Sequence, residues 1–402
     1  MTPMNSPDTR RLDLHYIALQ SGFWAMFAAI CGYQAALLQG RGFTNSQIGV
    51  LIAVRCLSGI VLQPLLGGWA DRHPNVPLKA IVNLSLLLSL VVSLVFTLLP
   101  GMGFLPTAVV FVVLGGFEIS SYPLMDAMAI QFIRAGIPIR YSLGRGIGSL
   151  AYAVTCILLG MTVKRLGVES VLLIHAGLMV LEIALVWSFP VCALPPETAP
   201  AEGAAPHSIV EILRSNPRFS FMLLAILFSI TALLPLSNFL INILQAKGGG
   251  AEQLGLALFL MAASELPGSI IFARLRRRGV GSDRLLALSL VFSAVKALAL
   301  FLAPSVGFIL LAQPLQMLGY GVFTPASVYF VSESVPPADE VRGQTLMMVA
   351  SNGLGGVLGS LLAGSALDAG LSAGAGASWM LLLCLLSACT GVALAFAALR
   401  KR

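Results

Sequence analysis

The chain has 402 residues, of which 57% are hydrophobic and only 10% charged, and its mean hydropathy is +0.91. Soluble domains carry about 25% charged residues, so a soluble fold is excluded, and no polar stretch is long enough for a catalytic, nucleotide-binding or DNA-binding domain. The formal net charge of +7 invites a nucleic-acid reading, which the placement of the basic residues argues against.

In chain order, twelve apolar blocks fall at 14–38, 46–69, 78–99, 106–133, 141–163, 168–189, 218–245, 252–274, 283–303, 307–332, 342–367 and 376–399. Each is long enough to cross a hydrocarbon core of about 30 Å as a helix. The predicted fold class is all-α integral membrane, with twelve transmembrane helices in two six-helix bundles. The first block is too long for a cleavable signal and lacks a small-residue cleavage site. Pro123 and Pro325 are expected to break the fourth and tenth spans, where neighbouring helices can satisfy the freed carbonyls.

Orientation follows from the lysines and arginines. The termini and even-numbered connections hold Arg10, Arg11, Arg72, Lys79, Arg134, Arg140, Arg214, Arg218, Arg274, Arg276, Arg277, Arg278, Arg284, Arg342, Arg400, Lys401 and Arg402, which is 17 of the 24. The odd-numbered loops hold only Arg41, Lys164, Arg165 and Lys247. This bias predicts a multi-pass protein of the cytoplasmic (inner) membrane with both termini in the cytoplasm. The basic pI of 9.3 is then a topology signal, and no nucleic-acid partner is expected.

Six cysteines lie in or beside apolar spans without a Cys-x-x-Cys pair, which fits small buried hydrophobes. Four histidines (15, 73, 175 and 207) show no ligand-like spacing, and no Gly-rich phosphate loop ending in Lys-Ser/Thr is present. Neither a metal nor an organic cofactor is expected, and direct use of ATP is argued against.

The stretch 190–217, with Pro190, Pro195, Pro196, Pro200 and Pro206, has linker composition. It divides the chain into bundles 1–189 and 218–402. An internal repeat supports the division. Ser46-Gln47-Ile48-Gly49 opens the second span and Glu252-Gln253-Leu254-Gly255 the eighth; Pro64 matches Pro267, and Pro123 and Arg140 recur 202 residues later as Pro325 and Arg342. Two such repeats around a midplane site are the layout of many secondary transporters.

Gly67-Gly68-Trp69-Ala70-Asp71-Arg72, followed by Lys79, resembles the cytoplasmic loop signature of the major facilitator superfamily. Pro74 and Asn75 depart from it where the family usually has Gly and Arg. The resemblance covers essentially the whole chain, and it makes Gly67, Asp71 and Arg72 a conformational gate loop. A narrower resemblance is to the branch holding the 3-phenylpropionate transporter and, more distantly, lactose permease. It rests on Gly42-Phe43-Thr44 through Ile48-Gly49 with Arg55 following, Tyr122-Pro123-Leu124-Met125-Asp126-Ala127, Tyr141-Ser142-Leu143-Gly144-Arg145 and Ala263-Ser264-Glu265.

Asp126, Arg145, Glu265, Lys296, Arg55, Glu118 and Glu182 all fall inside apolar spans. At roughly 3 kcal/mol each near a helix centre, these residues must pair, protonate or line water. Depth in antiparallel neighbours pairs Asp126 with Arg145 and Glu265 with Lys296, and offers Glu118 to Arg55. The lactose-permease resemblance implies a substrate-binding carboxylate at Asp126 with Arg145 as its partner, and a substrate or proton ligand at Glu265. The permease's tenth-span His and Glu fall on Gln316 and Gly319 here, so Glu265, Asp126 or Glu118 becomes the expected proton carrier. Arg55 reads equally as a packed arginine or an anion contact, and Glu182 as a structural or interfacial residue. Gln20, Trp24, Phe27, Cys31 and Gln34 share one face of the first span, as do Asn238 and Asn242 in the seventh and Gln313, Gln316 and Tyr320 in the tenth.

The implied activity is proton-driven symport of a small organic solute, a carboxylate or a sugar, by a monomer in the lipid bilayer. Proton-coupled efflux is the alternative on the same architecture, and a transporter-like receptor that does not translocate is a third. No constellation for an enzyme is present.

Overall fold

The computed structural model describes residues 6–192, 208–336 and 339–401. Apolar runs of this length have no water to satisfy their backbone groups in a bilayer, so they form helices, which close their hydrogen bonds internally. Among the described residues, twelve helices are long and apolar enough to span: α1 Thr9–Gly40, α2 Asn45–Arg72, α3 Leu78–Leu98, α4 Phe104–Arg134, α5 Tyr141–Leu166, α6 Ser170–Ser188, α7 Pro217–Asn238, α8 Ala251–Arg277, α9 Ser282–Phe301, α10 Val306–Ser334, α11 Glu340–Ala369 and α12 Gly376–Arg400.

Local chemistry sets several ends. Asn216 accepts from Phe219 N and Pro217 opens α7, a cap followed by a residue with no N–H to orphan. Lys79 donates to the carbonyls of Trp187 and Phe189 at the end of α6, and Gly167 ends α5 at φ 82°, in the left-handed region that favours glycine.

Three expectations need correction. The seventh span does not run to 245: α7 stops at Asn238, and a separate short helix, Leu240–Gln245, follows. Pro123 and Pro325 do not break their spans, because each lies inside continuous α-helix. The irregular turns come earlier, as a π-helical turn at Leu114–Glu118 and a 3-10 turn at Gln313–Met317. Gly67, Asp71 and Arg72 are not in a loop. They lie in the last turns of α2, with Asp71 and Arg72 exposed, where Arg72 Nε donates to the Gly68 carbonyl at 2.9 Å.

Contacts divide the chain into two units, Met1–Arg41 with Val54–Pro200, and Gly42–Ala53 with Ala201–Arg402. Of the expected linker 190–217, residues 193–207 lie outside the described residues, and Ile209–Ser215 is a short helix. In unit 1, α1 packs on α5 and α6, and α3 on α4 and α6. Unit 2 repeats this with α7 on α11 and α12, and α9 on α10 and α12. Glycine permits the matching close approaches: a Cβ on Gly148 of α5 would strike Trp24, and one on Gly359 of α11 would strike the Thr231 carbonyl of α7. The N-terminal turn of α2 belongs to unit 2. There the Asp368 carboxylate accepts from Asn45 N at 3.1 Å, Asn45 Nδ2 at 2.9 Å and Ser46 N at 2.7 Å. This satisfies donors that a helix start leaves orphaned.

Candidate functional site

The intramembrane charges form three groups. In the first, Asp126 of α4 accepts from Tyr16 Oη at 3.1 Å, Gln20 Nε2 at 2.8 Å and Tyr141 Oη at 2.8 Å. Arg145 of α5 places Nη1 3.7 Å from Asp126 Oδ2. Its guanidinium lies over the rings of Tyr122 at 4.5 Å and Trp24 at 5.5 Å, contacts that attract a cation electrostatically. Tyr16 and Tyr141 stack on one another at 5.8 Å, so both hydroxyls are held toward the same carboxylate.

In the second group, also in unit 1, Arg55 of α2 is 3% exposed and Glu118 of α4 is fully buried. Arg55 Nη2 stands 3.6 Å from Glu118 Oε2, and Nη1 donates to Gln34 Oε1 at 3.3 Å. The Phe27 ring lies 5.2 Å from the guanidinium. The face of α1 read from helical spacing thus runs along both groups, with Gln20 and Trp24 on the first and Phe27 and Gln34 on the second. One helix face supplies polar and aromatic contacts to two ion pairs.

The third group lies in unit 2. Lys296 of α9 is 1% exposed and Gln316 of α10 is 4% exposed. Lys296 Nζ donates to Gln316 Oε1 at 2.8 Å, and Gln316 Nε2 donates to Glu265 Oε1 of α8 at 3.4 Å. The expected Glu265–Lys296 pair is therefore connected through an amide, whose two ends match a donor on one side and an acceptor on the other. Gln316 sits in the 3-10 turn of α10, where departure from α-helical spacing sets which residues face α8 and α9.

Other expected residues are placed elsewhere. Asn238 is the half-buried last residue of α7. Asn242, beyond it, donates to Asn45 Oδ1 at 2.9 Å. Tyr320 stacks on Phe323 at 5.8 Å, and Gln313 donates to its own helix at the Ile309 carbonyl. Glu182 of α6 is fully buried against Gly22 of α1. Neither of its carboxyl oxygens has a hydrogen-bond partner among the described residues.

Sequence reasoning missed Tyr16, Tyr141, His175 and Asp368. Tyr16 was within reach, one turn before Gln20 on the same face. Tyr141 stood in a quoted motif without a role. His175 and Asp368 carried no local signal, since their partners lie in distant helices.

Residues 15–393 match the MFS_1 like family. The maltose permease of Geobacillus stearothermophilus is 24% identical over 359 residues, covering 88% of this chain and 86% of the permease. The solved nucleoside transporter NupG superposes with a TM-score of 0.76 at 17% identity, covering 96% of this chain and 98% of that one. A bacterial homolog to the human lysosomal transporter Spinster, inward-facing and occupied, gives a TM-score of 0.75 at 14% identity, covering 99% and 98%. At these identities the solved structures establish a common fold.

Proposed function

The chain belongs to the MFS_1 like family, and on that premise we propose that it is a proton-coupled symporter of a small polar organic solute. It is a multi-pass membrane transporter of the major facilitator type, not an enzyme. Alternating access, a cytoplasmic-membrane location, cytoplasmic termini and a monomeric state complete the reading.

The observation that carries the solute class is charge balance. Arg55, Arg145 and Lys296, the three cations away from the span ends, are each matched: Arg145 by Asp126 at 3.7 Å, Arg55 by Glu118 at 3.6 Å, and Lys296 by Glu265 through Gln316. An anionic solute would meet no uncompensated cation, and burying an unpaired charge is costly. A neutral, hydroxyl-bearing solute suits these groups better, since carboxylates accept and amide and ammonium groups donate. The maltose and nucleoside named for the relatives are solutes of this kind. A second reading, symport of a proton with a carboxylate, follows if protonation of Glu265 frees Lys296 to meet the anion.

Thermal-shift screening of the purified protein against sugars, nucleosides and carboxylates separates the two readings. Stabilisation by sugars or nucleosides alone supports the first, and stabilisation by carboxylates alone replaces it with the second. In proteoliposomes, Glu265→Gln is then expected to abolish uphill accumulation of the solute found while preserving counterflow. Unimpaired uphill uptake would remove Glu265 as the proton carrier, and tight binding without any exchange would make the protein a receptor.

A further inference from the structure

One buried cluster extends beyond the Arg55–Glu118 pair, to side chains that the solute argument does not use. The π-helical turn Leu114–Glu118 adds a residue to a turn of α4, a feature frequent at functional sites. It lies in backbone contact with α2. A Cβ on Gly115 would strike the Arg55 carbonyl, and one on Gly59 would stand 3.0 Å from the Gly115 carbonyl. Glu118, the last residue of the turn, is thereby aimed into the interior of unit 1 and is fully buried. Its Oε1 stands 3.7 Å from Nε2 of His175 on α6, which is also fully buried. Nδ1 of His175 is 2.9 Å from Ser93 Oγ of α3. Four helices thus contribute one line of polar groups, Arg55–Glu118–His175–Ser93.

Both carboxyl oxygens of Glu118 and Nε2 of His175 lack a hydrogen bond among the described residues. Such groups are costly in a dry interior, and here the unsatisfied oxygen and nitrogen face each other. Ser93 can donate to Nδ1 or accept from it, so the ring is supported both as neutral imidazole and as imidazolium. Among the described residues, the other titratable groups beside the cluster are Cys56 of α2 and Cys31 of α1, both next to Arg55. Arg55 is held on the opposite carboxyl oxygen, which leaves Oε1 for the histidine.

We propose that Glu118 and His175 form a buried proton-binding site within unit 1, distinct from the Glu265 group. The proton reaches the pair on Glu118 Oε1 and is held as N–H on His175 Nε2. Transfer from oxygen to nitrogen breaks one O–H bond, forms one N–H bond and leaves the carboxylate between two cations. The purpose of the site, coupling, rests on the transport reading; proton binding itself does not.

The test is therefore made without solute. The full chain is purified with His15, His73 and His207 replaced by Gln, so that His175 is the sole histidine, and its ring nitrogens are followed by nitrogen-15 NMR between about pH 9 and pH 5. The expected result is passage from a neutral to a doubly protonated ring, lost in the added Glu118→Gln variant, because an imidazolium there would lack its carboxylate. If Glu118→Gln does not fold, Glu118→Asp withdraws the carboxylate by one methylene, and a shifted transition carries the same dependence. A single ring state over the whole range, or a transition indifferent to both changes at Glu118, overturns the proposal. Failure to find any transported solute would leave this result standing.

Discussion

Units 1 and 2 share a packing plan but not a chemistry. The pairings of α1 with α5 and α6, and of α3 with α4 and α6, recur six helices later. Yet 202 residues after Glu118 stands Tyr320, and 202 after Asp126 stands Val328. Unit 1 holds Asp126 redundantly, by three converging donors, while its Glu118 faces two basic side chains without a hydrogen bond among the described residues. Unit 2 joins Glu265 to Lys296 through the single amide of Gln316. The repeated scaffold fixes where helices meet, while each unit's own side chains determine how firmly a charge is held there. A group held by one bridge is easier to release than one held by three donors, so the proposed protonation falls more easily on Glu265 than on Asp126.

The contrast can be broken or sharpened by stability measurements on the purified protein. The largest effect is expected at the Arg55–Glu118 pair. Arg55→Leu leaves a fully buried carboxylate without its guanidinium and should cost about 3–5 kcal/mol, whereas Arg55→Leu combined with Glu118→Leu should recover much of the loss. Additive losses would mean that the pair is not coupled. Gln316→Leu should come next, at about 2–3 kcal/mol, because the buried Lys296 head loses its acceptor. Tyr141→Phe should be smallest, about 1 kcal/mol or less, since Asp126 keeps Tyr16 and Gln20. If Tyr141→Phe proves costlier than Gln316→Leu, the redundancy argument fails.

Much of this was legible in the sequence for physical reasons. Apolar runs in a bilayer must be helices, and the 3.6-residue period placed Gln20, Trp24, Phe27 and Gln34 on the face that meets both unit 1 ion pairs. Antiparallel depth brought Asp126 to Arg145 and Glu265 near Lys296. Depth could not show that Gln316 stands between the last two, because its placement depends on a 3-10 turn with no clear signature. The prolines misled for a related reason: Pro123 and Pro325 lie within regular helix, and the irregular turns stand upstream of them. His175 stayed invisible because a lone histidine in an apolar run gains meaning only from Glu118 and Ser93, on other helices. Asp368 likewise reads as a residue near a span end until α2 arrives with unpaired N–H groups.

The central claim is coupling of solute movement to protons, and the sign of a pH change tests it most directly. Proteoliposomes loaded with a pH-sensitive dye are given an inward gradient of the solute identified by thermal shift, at zero initial pH difference. Symport predicts acidification of the lumen, abolished by Glu265→Gln. Alkalinisation would establish exchange of solute for protons, and solute entry with no pH change would contradict proton coupling altogether.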